Sequence, residues 1–349
     1  MEFKMSTPLV SVILPAFNAE MFLRESISSI LNQSLKNIEL VIINDGSTDS
    51  TEDIIKSFSD NRIVYLKNTI NLGIIKTLNK GIDNAKGKYI ARMDADDISM
   101  PNRLKRQIEV LENDESIDIV NIKAYILNDS GTFYTKNKGS VEASSNTMRY
   151  LQYLRNMIMH PGVMVKKDIM QHFKYRDSEE VLHIEDYDLW LRLFKAGYKC
   201  FTIDDELLYY RFNPNSISRT KQNEQHNRVI ALSAKNIKND FSFEFSVDSL
   251  KYNWGEFDSF KYFSLDRYHK ELRAFFDKIN QDGSLGPSDM AVFERFISFK
   301  MLAVLISFIK LGGIRGKVIA ASFLLRNMNI IPRFFLLTNI FSKKKKFIN

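Results

Sequence analysis

The chain has 349 residues, of which 44% are hydrophobic and 26% are charged, an ordinary globular composition with enough apolar material for one large domain and a smaller one. The single cysteine, Cys200, excludes a disulfide framework and favours a reducing compartment, while the five histidines show no zinc-type spacing. Residues 1–8 contain no apolar run long enough for a signal peptide.

The net charge of +7 belongs to the end of the chain. Residues 295–349 contain eleven lysines and arginines and no acidic residue, whereas the residues before them hold 38 basic and 42 acidic side chains. This distribution argues against a basic domain built for nucleic acid. It predicts instead that the C-terminal tail meets an anionic surface.

Hydrophobic periodicity predicts that strands and helices alternate in the first third of the chain. The expected strands cover residues 9–14, 39–43, 63–66, the segment from Tyr89, and 117–120. The expected helices cover residues 20–32, the segment around 54–58, the segment around 74–82, and the segment around 104–111. This alternation predicts an α/β fold with a mostly parallel sheet and helices on both faces.

The alternation becomes irregular after residue 127. We expect a hairpin turn at 128–131, strands at 162–165, 199–203 and 207–212, and a helix that begins at Glu185 and ends at Gly197. From residue 222 onward the pattern is helical and rich in aromatic residues. We therefore expect a catalytic domain over residues 1–221 and a helical region over residues 222–349.

Three polar loops follow the ends of predicted strands, at Phe17-Asn18, Asp45-Gly46 and Asp94 to Asp96. In open parallel sheets, ligands bind outside the carboxyl ends of the strands, so these loops should converge on one crevice. Asp94 and Asp96 would project to the same face of an extended chain, and hard oxygen ligands suit Mg²⁺ or Mn²⁺. The alternative is a solvated acidic turn before the helix expected near Pro101.

The motifs in these loops resemble those of family 2 glycosyltransferases with the GT-A fold. The resemblance covers roughly residues 8–220 and rests on the order and spacing of motifs that are each weak alone. They are Pro15-Ala16-Phe17-Asn18-Ala19-Glu20, Asn44 to Asp49, Asn71-Leu72-Gly73 with Asn79-Lys80-Gly81, Met93 to Asp97, His160 to Met164, and Glu185 to Trp190. The last two match bacterial members that build surface polysaccharides.

The resemblance implies a nucleotide-sugar site in the first half of the chain. Phe17 would lie against the nucleotide base, and Asp45 would accept a hydrogen bond from the uracil imide. Asp94 would face the ribose or diphosphate, and Asp96 would bind Mn²⁺ or Mg²⁺. The other expected nucleotide-sugar-binding residues are Pro15, Asn18, Glu20 and Ala95. Core packing for Phe17, and capping of the following helix for Asp45, are the structural alternatives.

The resemblance also implies that Asp186 is the general base of an inverting transfer. Glu185 is the rival at this spacing, and capping of the helix N-terminus is the structural alternative for both acids. Asp188 faces about 200° around the helix from Asp186 and is a poor candidate. Where the family often has histidine, this chain has Asn213, a weaker metal ligand, and His160 is expected either to orient the acceptor or backbone or to be structural.

The tail combines two apolar runs, residues 301–309 and 318–325, with interspersed cations and a final run of four lysines. Neither run approaches the roughly 20 residues needed to span a bilayer. The pattern favours helices that lie on anionic lipid at the cytoplasmic face of the cell membrane. The alternative is a helical appendage that packs on the catalytic domain or on the partner of a homodimer.

These expectations combine into one functional hypothesis, an inverting, metal-dependent transferase that moves a sugar from a UDP-sugar to a glycan acceptor carried on a lipid. One alternative is an inactive nucleotide-sugar-binding subunit of an assembly complex, which the presence of Asp96 and Asp186 disfavours. Another is a sugar nucleotidyltransferase, which usually has a glycine-rich basic loop after the first strand. The Pro15 motif is not such a loop.

Overall fold

The computed structural model of the protein describes residues 7–127, 134–136, 143–213, 220–255, 264–281 and 285–311, and the single positions 283, 317, 322 and 323. Its described parts contain one nine-stranded sheet flanked by helices, followed by further helices. The expected hairpin turn at 128–131, the apolar run 318–325 apart from residues 322 and 323, and the lysine run lie outside the described residues.

The first half of the sheet is parallel. Its strands lie in the order β3-β2-β1-β4 and are connected by helices α1 to α3. The elements in chain order are β1 (Val10–Ala16), α1 (Leu23–Leu31), β2 (Ile38–Asp45), α2 (Thr51–Lys56), β3 (Ile63–Asn68), α3 (Ile74–Asn84) and β4 (Tyr89–Arg92). This order brings the carboxyl ends of β2, β1 and β4 side by side.

The second half extends the sheet from β4 in the order β8-β6-β9-β5, with β7 on β6. Strand β8 is antiparallel to both of its neighbours, β4 and β6, and β6 is parallel to β9. At the edges, β5 pairs antiparallel with β9, and β7 pairs antiparallel with β6. The elements are β5 (Ile98–Ser99), α4 (Arg103–Asn113), β6 (Ile119–Leu127), β7 (Tyr134–Lys136), α5 (Ser145–Leu151), β8 (Met164–Lys166), α6 (Lys167–Phe173), α7 (Glu185–Lys195) and β9 (Cys200–Arg211).

Both faces of the parallel strands are covered, as the continuous apolar runs predict. Val12 and Leu14 of β1 belong to one buried cluster with Ile27 of α1 and Leu104 of α4. On the other face, Gly81 brings α3 close to β1, since a Cβ atom there would lie 2.6 Å from Cγ2 of Ile13. The expected α/β architecture is therefore confirmed.

The helical part follows β9 with α8 (Gln222–Phe241), α9 (Val247–Asn253), α10 (Leu265–Ile279) and α11 (Pro287–Leu311). The chain forms two compact units, residues 1–152 with 156–229, and residues 153–155 with 230–349. This division falls within the sequence of α8, a little beyond the expected boundary at residue 221. The core of the second unit is aromatic, and Phe276 and Phe293 stack with ring centroids 4.5 Å apart.

Several element bounds differ from the sequence prediction. β1 continues through Pro15 to Ala16. Pro15 lies opposite Ile43 of β2, whereas the pairing with β4 ends at Ile13, and the missing N–H is tolerated near the strand end. The two strands expected at 199–203 and 207–212 form one strand, β9, which pairs with β6 through a register irregularity. The short strand β5 has too few residues to show a period.

Candidate active site

The loops after β1 and β2 are joined by side-chain hydrogen bonds. Oδ1 of Asn18 accepts from the backbone N–H of Thr48 at 2.9 Å, and the N–H of Asn18 donates to Oγ of Ser47 at 3.0 Å. Oε2 of Glu20 accepts from the N–H of Ser50 at 2.9 Å. The structure therefore brings the expected residues Asn18 and Glu20 to one edge of the sheet, where they fix the two loops relative to each other.

Two other expected nucleotide-site residues lie in different environments. Phe17 is 49% exposed at the end of β1, so core packing does not describe it. Pro15 is buried inside β1 opposite Ile43 of β2, which makes it part of the strand that carries the loop. Phe17 therefore offers a ring face to a ligand, whereas Pro15 can act only through the position of the strand end.

Asp45 lies at the end of β2 and is only 4% exposed. Its Oδ1 accepts from Nδ2 of Asn68 at 2.7 Å and from the N–H of Leu72 at 2.9 Å, and its Oδ2 accepts from the N–H of Gly73 at 3.0 Å. These donors belong to β3 and to the loop before α3. Asp45 therefore does not cap α2, the helix that follows β2.

The acidic segment after β4 is a turn. The strand ends at Arg92, and the chain turns at Ala95 and Asp96, so the extended geometry expected for Asp94 and Asp96 is not present. The turn nevertheless brings the carboxylates of Asp94 and Asp96 together, and it adds that of Asp97. Asp94, Asp96 and Asp97 can each bring one carboxylate oxygen to within 4.8 Å of the others. Ala95 is half-buried and packs against the apolar cluster beneath the turn.

The electrostatics of this turn fit a divalent cation. Burial and the neighbouring charge of Asp94 raise the pKa of Asp96 to about 6, and burial with the charges of Asp94 and Asp96 raises the pKa of Asp97 well above its usual value. Oδ2 of Asp97 is buried and has no hydrogen-bond partner among the described residues. Carboxylate oxygens held this close repel one another unless a cation lies between them. The residues present therefore fit Mg²⁺ or Mn²⁺.

Arg211, at the end of β9, holds the acidic turn from outside and was not predicted as a site residue. Its Nε donates to the carbonyl of Asp96 at 2.8 Å, its N–H donates to Oδ1 of Asp97 at 2.8 Å, and its Nη2 pairs with Glu25 of α1 at 2.6 Å. Nδ2 of Asn213, two residues further on, lies 3.4 Å from Oδ2 of Asp96. The turn is therefore positioned by a segment more than a hundred residues away in the sequence.

The two acids at the start of α7 differ in their contacts. Asp186 accepts from Nδ2 of Asn156 at 2.7 Å and from the N–H of Tyr187 at 2.8 Å, and burial raises its pKa. Glu185 is 8% exposed, and its Oε2 is buried with no hydrogen-bond partner among the residues that the structure describes. Burial and the charge of Asp186 raise the pKa of Glu185 to about 7. Both acids therefore remain candidates for the general base.

Asp188, the third acid of α7, has a structural role. It is 4% exposed and pairs with Arg176 at 2.9 Å and with Arg192 at 2.8 Å. These two arginines satisfy both of its carboxylate oxygens, as expected for a buried charge that takes no part in the chemistry. This agrees with the sequence prediction that Asp188 is a poor candidate for the general base.

A buried arginine lies between the acidic turn and the acids of α7. Arg92, 6% exposed, forms an ion pair with Asp94. Its charge partly offsets the burial that raises the pKa values of Asp96, Glu185 and Asp186. The charge of Asp94 in turn contributes to the raised pKa of Glu185. The two groups of acids therefore lie within electrostatic range of each other.

His160 precedes β8 in the chain and lies near Arg92. Its Nε2 is 2.7 Å from the hydroxyl of Tyr175, and its ring packs edge-on against Trp190 of α7, with centroids 6.1 Å apart. Burial and the charge of Arg92 lower the pKa of His160 well below its usual value, so the ring is neutral. These contacts are those of a packed and hydrogen-bonded histidine. Among the described residues, no hydrogen bond joins His160 to the acidic turn.

Comparisons with known proteins agree with this geometry. The profile of the family described as Glycosyl transferase family 2 matches residues 11–173. An uncharacterized glycosyltransferase of Methanocaldococcus jannaschii is 36% identical over 225 residues, which cover 63% of this chain and 77% of the relative. The putative glycosyltransferase EpsE of Bacillus subtilis is 33% identical over 218 residues, which cover 61% of this chain and 77% of EpsE.

The solved structures extend the comparison to the fold. The crystal structure of residues 1–349 of Staphylococcus aureus TarS in complex with UDP-GlcNAc is similar, with a TM-score of 0.53 and 18% identity, and the match covers 90% of this chain and 91% of that chain. The same protein in complex with UDP gives a TM-score of 0.52, with 84% and 80% of the two chains covered. On the family profile, the relatives and the fold, this chain belongs to glycosyl transferase family 2 and is a glycosyltransferase of the GT-A type.

Proposed function

We propose that the protein transfers a sugar with inversion from a UDP-sugar to a glycan acceptor and depends on a divalent metal ion. The observation that carries this proposal is that the acidic turn and the acids at the start of α7 lie within electrostatic range of each other. Three carboxylates of the acidic turn approach within 4.8 Å of one another, and Asp94 is near enough to Glu185 to raise its pKa. A metal–diphosphate site and a general base need this proximity.

In this proposal the nucleotide-sugar lies across the loops after β1, β2 and β4. The exposed ring of Phe17 would lie against the base, and Asp45 would accept from the base edge. Asn18 and Glu20 hold the first two loops together, and Pro15 and Ala95 set the backbone on which the neighbouring residues stand. Asp94 would face the ribose or diphosphate, with its carboxylate oriented by Arg92.

Asp96, together with Asp94 and Asp97, would hold Mn²⁺ or Mg²⁺. When bound, such an ion offsets the charge that grows on the departing diphosphate. The chain's own contribution is to keep the three carboxylates in place. Arg211 does so through the carbonyl of Asp96 and the carboxylate of Asp97.

The transfer step itself needs a base on the acceptor side. Asp186 would take the proton of the acceptor hydroxyl while the hydroxyl oxygen bonds to the anomeric carbon. The bond from that carbon to the diphosphate oxygen breaks, and its electron pair leaves with UDP. The bond from Asn156 keeps one oxygen of Asp186 oriented, and the raised pKa of Asp186 makes it a better proton acceptor than a solvated aspartate.

The experiment is to measure UDP release with a panel of UDP-sugars and glycan acceptors, with and without excess chelator. Transfer should stop in chelator, and Asp96→Ala should be inactive at any metal concentration while its circular dichroism spectrum is unchanged. Full activity in chelator would contradict the metal role. Binding of UDP-sugars without any turnover would favour an inactive subunit, and release of pyrophosphate would favour a nucleotidyltransferase.

The acceptor is proposed to be carried on a lipid, in polysaccharide synthesis at the cytoplasmic face of the membrane. The support is the basic tail, most of which lies outside the described residues. In α11, Met301, Val304 and Leu305 are buried, so this part of the apolar run packs within its own unit, while Phe299 and Ile306 are 44% and 41% exposed. Among the described residues no helix is both long and apolar enough to cross a bilayer.

The membrane proposal is tested by co-sedimentation with anionic and neutral vesicles across a salt series. Binding should require anionic lipid and fall as salt rises, because about 1 kcal/mol per engaged cation is lost on screening. The truncated control should end after Phe323, since this ring is buried and packs against His269, and an earlier cut would remove it. Equal binding to both vesicle types, or unchanged binding on truncation, would leave packing or homodimerisation as the role of the tail.

A further inference from the structure

The hydrogen bonds of Asp45 leave one of its oxygens with capacity for a further bond. A carboxylate oxygen accepts about two hydrogen bonds. Oδ1 already accepts from Asn68 and from the N–H of Leu72, whereas Oδ2 accepts only from the N–H of Gly73 within the described part of the chain. Asp45 therefore presents one acceptor position, on Oδ2, instead of two parallel ones.

The position of the Asn68 amide is determined by its other contacts. Its Oδ1 accepts from Nζ of Lys80 at 2.7 Å, and Lys80 also donates to the carbonyl of Lys67 at 2.9 Å. Because an ammonium group only donates, the amide oxygen must face Lys80 and the amide N–H₂ must face Asp45. One of its hydrogens binds Asp45 and the other reaches Oγ1 of Thr77 at 3.2 Å.

The loop that supplies the other two donors is also fixed against β2. Gly46, with φ +71°, lies against this loop, and a Cβ atom there would be 2.5 Å from the carbonyl carbon of Ile70 and 2.6 Å from the N atom of Asn71. The N–H groups of Leu72 and Gly73 are thus held at Asp45 by a close backbone contact. The occupation of Oδ1 follows from the fold and not from a mobile side chain.

Nucleobases differ in the number of donors on their pairing edge. Uracil and thymine present one N–H between two acceptors, whereas guanine presents two adjacent donors that call for both oxygens of a carboxylate. We propose that Asn68 is a specificity-determining residue: by filling Oδ1 of Asp45 it admits a base with one donor and disfavours guanine. This inference rests on the proposed function, in which Asp45 meets the base of the donor nucleotide.

The test measures UDP and GDP affinity by isothermal titration calorimetry, at fixed Mg²⁺, for the wild type and for Asn68→Leu. The wild type should prefer UDP, and the UDP:GDP affinity ratio should fall about tenfold in the variant, the worth of one charge-assisted hydrogen bond. Asn84→Ala is the matched control, because within the described part of the chain this exposed amide on α3 donates only to the carbonyl of Lys80. Its affinity ratio should equal that of the wild type.

A second variant, Asp45→Asn, replaces an acceptor by a donor at the base and tests the proposal if Asn68→Leu does not fold. In Asp45→Asn the two donors at the Oδ1 position, from Asn68 and Leu72, outnumber the one N–H of Gly73 at the Oδ2 position, so the amide oxygen takes the Oδ1 side. An N–H₂ then faces the base, and the CDP:UDP affinity ratio should rise. An unchanged UDP:GDP ratio in folded Asn68→Leu, or an unchanged CDP:UDP ratio in Asp45→Asn, overturns the role of Asn68. A wild type that does not prefer UDP instead overturns the proposed donor.

Discussion

Glu185 allows a stability prediction whose size follows from its burial. The residue is 8% exposed, and burial with the charge of Asp186 raises its pKa from 4.5 to about 7. A shift of this size corresponds to up to about 3 kcal/mol of unfavourable free energy for the ionised form in the folded protein. Glu185→Gln keeps the size of the side chain and removes the charge, so it should stabilise the protein where the wild type is ionised.

The sign of the effect depends on pH. Below pH 4.5 the group is protonated in both the folded and the unfolded state, so the charge costs nothing and the substitution gains nothing. Between pH 4.5 and about 7 the folded state binds the proton more tightly than the unfolded state, so the wild type loses stability as the pH rises. The advantage of Glu185→Gln should therefore grow across this window and stay constant above it.

Urea denaturation from about pH 4 to pH 8.5, followed by tryptophan fluorescence, measures this difference. In a Trp254→Phe background, Trp190 on the same helix becomes the sole tryptophan and reports the unit that contains Glu185. Glu179→Gln, which makes the same substitution at an exposed glutamate nearby, is the control. A difference in unfolding free energy that is flat with pH, or that favours the wild type near pH 8, would refute the reasoning.

Two further predictions concern activity and the acidic turn. Asp186→Asn should leave donor affinity within a few fold and reduce transfer by about 10²–10⁴, measured as UDP release; if Glu185→Gln shows this loss while Asp186→Asn stays active, the base is Glu185. Arg211→Met should weaken Mn²⁺ binding about tenfold by calorimetry, since it removes one charge-assisted bond to the turn, and an affinity equal to that of the wild type would contradict this role.

The parts of the fold that the sequence predicted well are those set by local periodicity. The apolar spacing predicted helices around 104–111 and from Glu185 to Gly197, and the structure has α4 and α7 there, with Leu104, Leu111, Leu189 and Leu193 buried. Continuous β-branched runs likewise predicted the buried strands β1 and β2. In both cases the pattern lies within one element, so neighbouring residues contain enough information to predict it.

The parts that the sequence did not predict depend on contacts between distant segments. An extended chain would place Asp97 on the face opposite Asp94 and Asp96, and only the turn brings the three acids together. Arg211 reaches this turn because β9 ends beside it. Asn68 likewise lies beyond the strand expected at 63–66, and only the pairing of β3 with β2 places it against Asp45. No short-range spacing connects these residues.

The acids of this site divide according to how completely the chain satisfies them. Asp45 accepts from three N–H donors, and Asp188 from two arginines. Asp97 and Glu185 each keep a buried oxygen with no hydrogen bond from any described residue, and both have raised pKa values. A buried carboxylate in this state costs stability, so it persists where a ligand or a reaction uses it. The acidic turn and the start of α7 are where the fold retains that cost, and the free oxygen of Glu185 is why this residue stays the rival of Asp186 as the base.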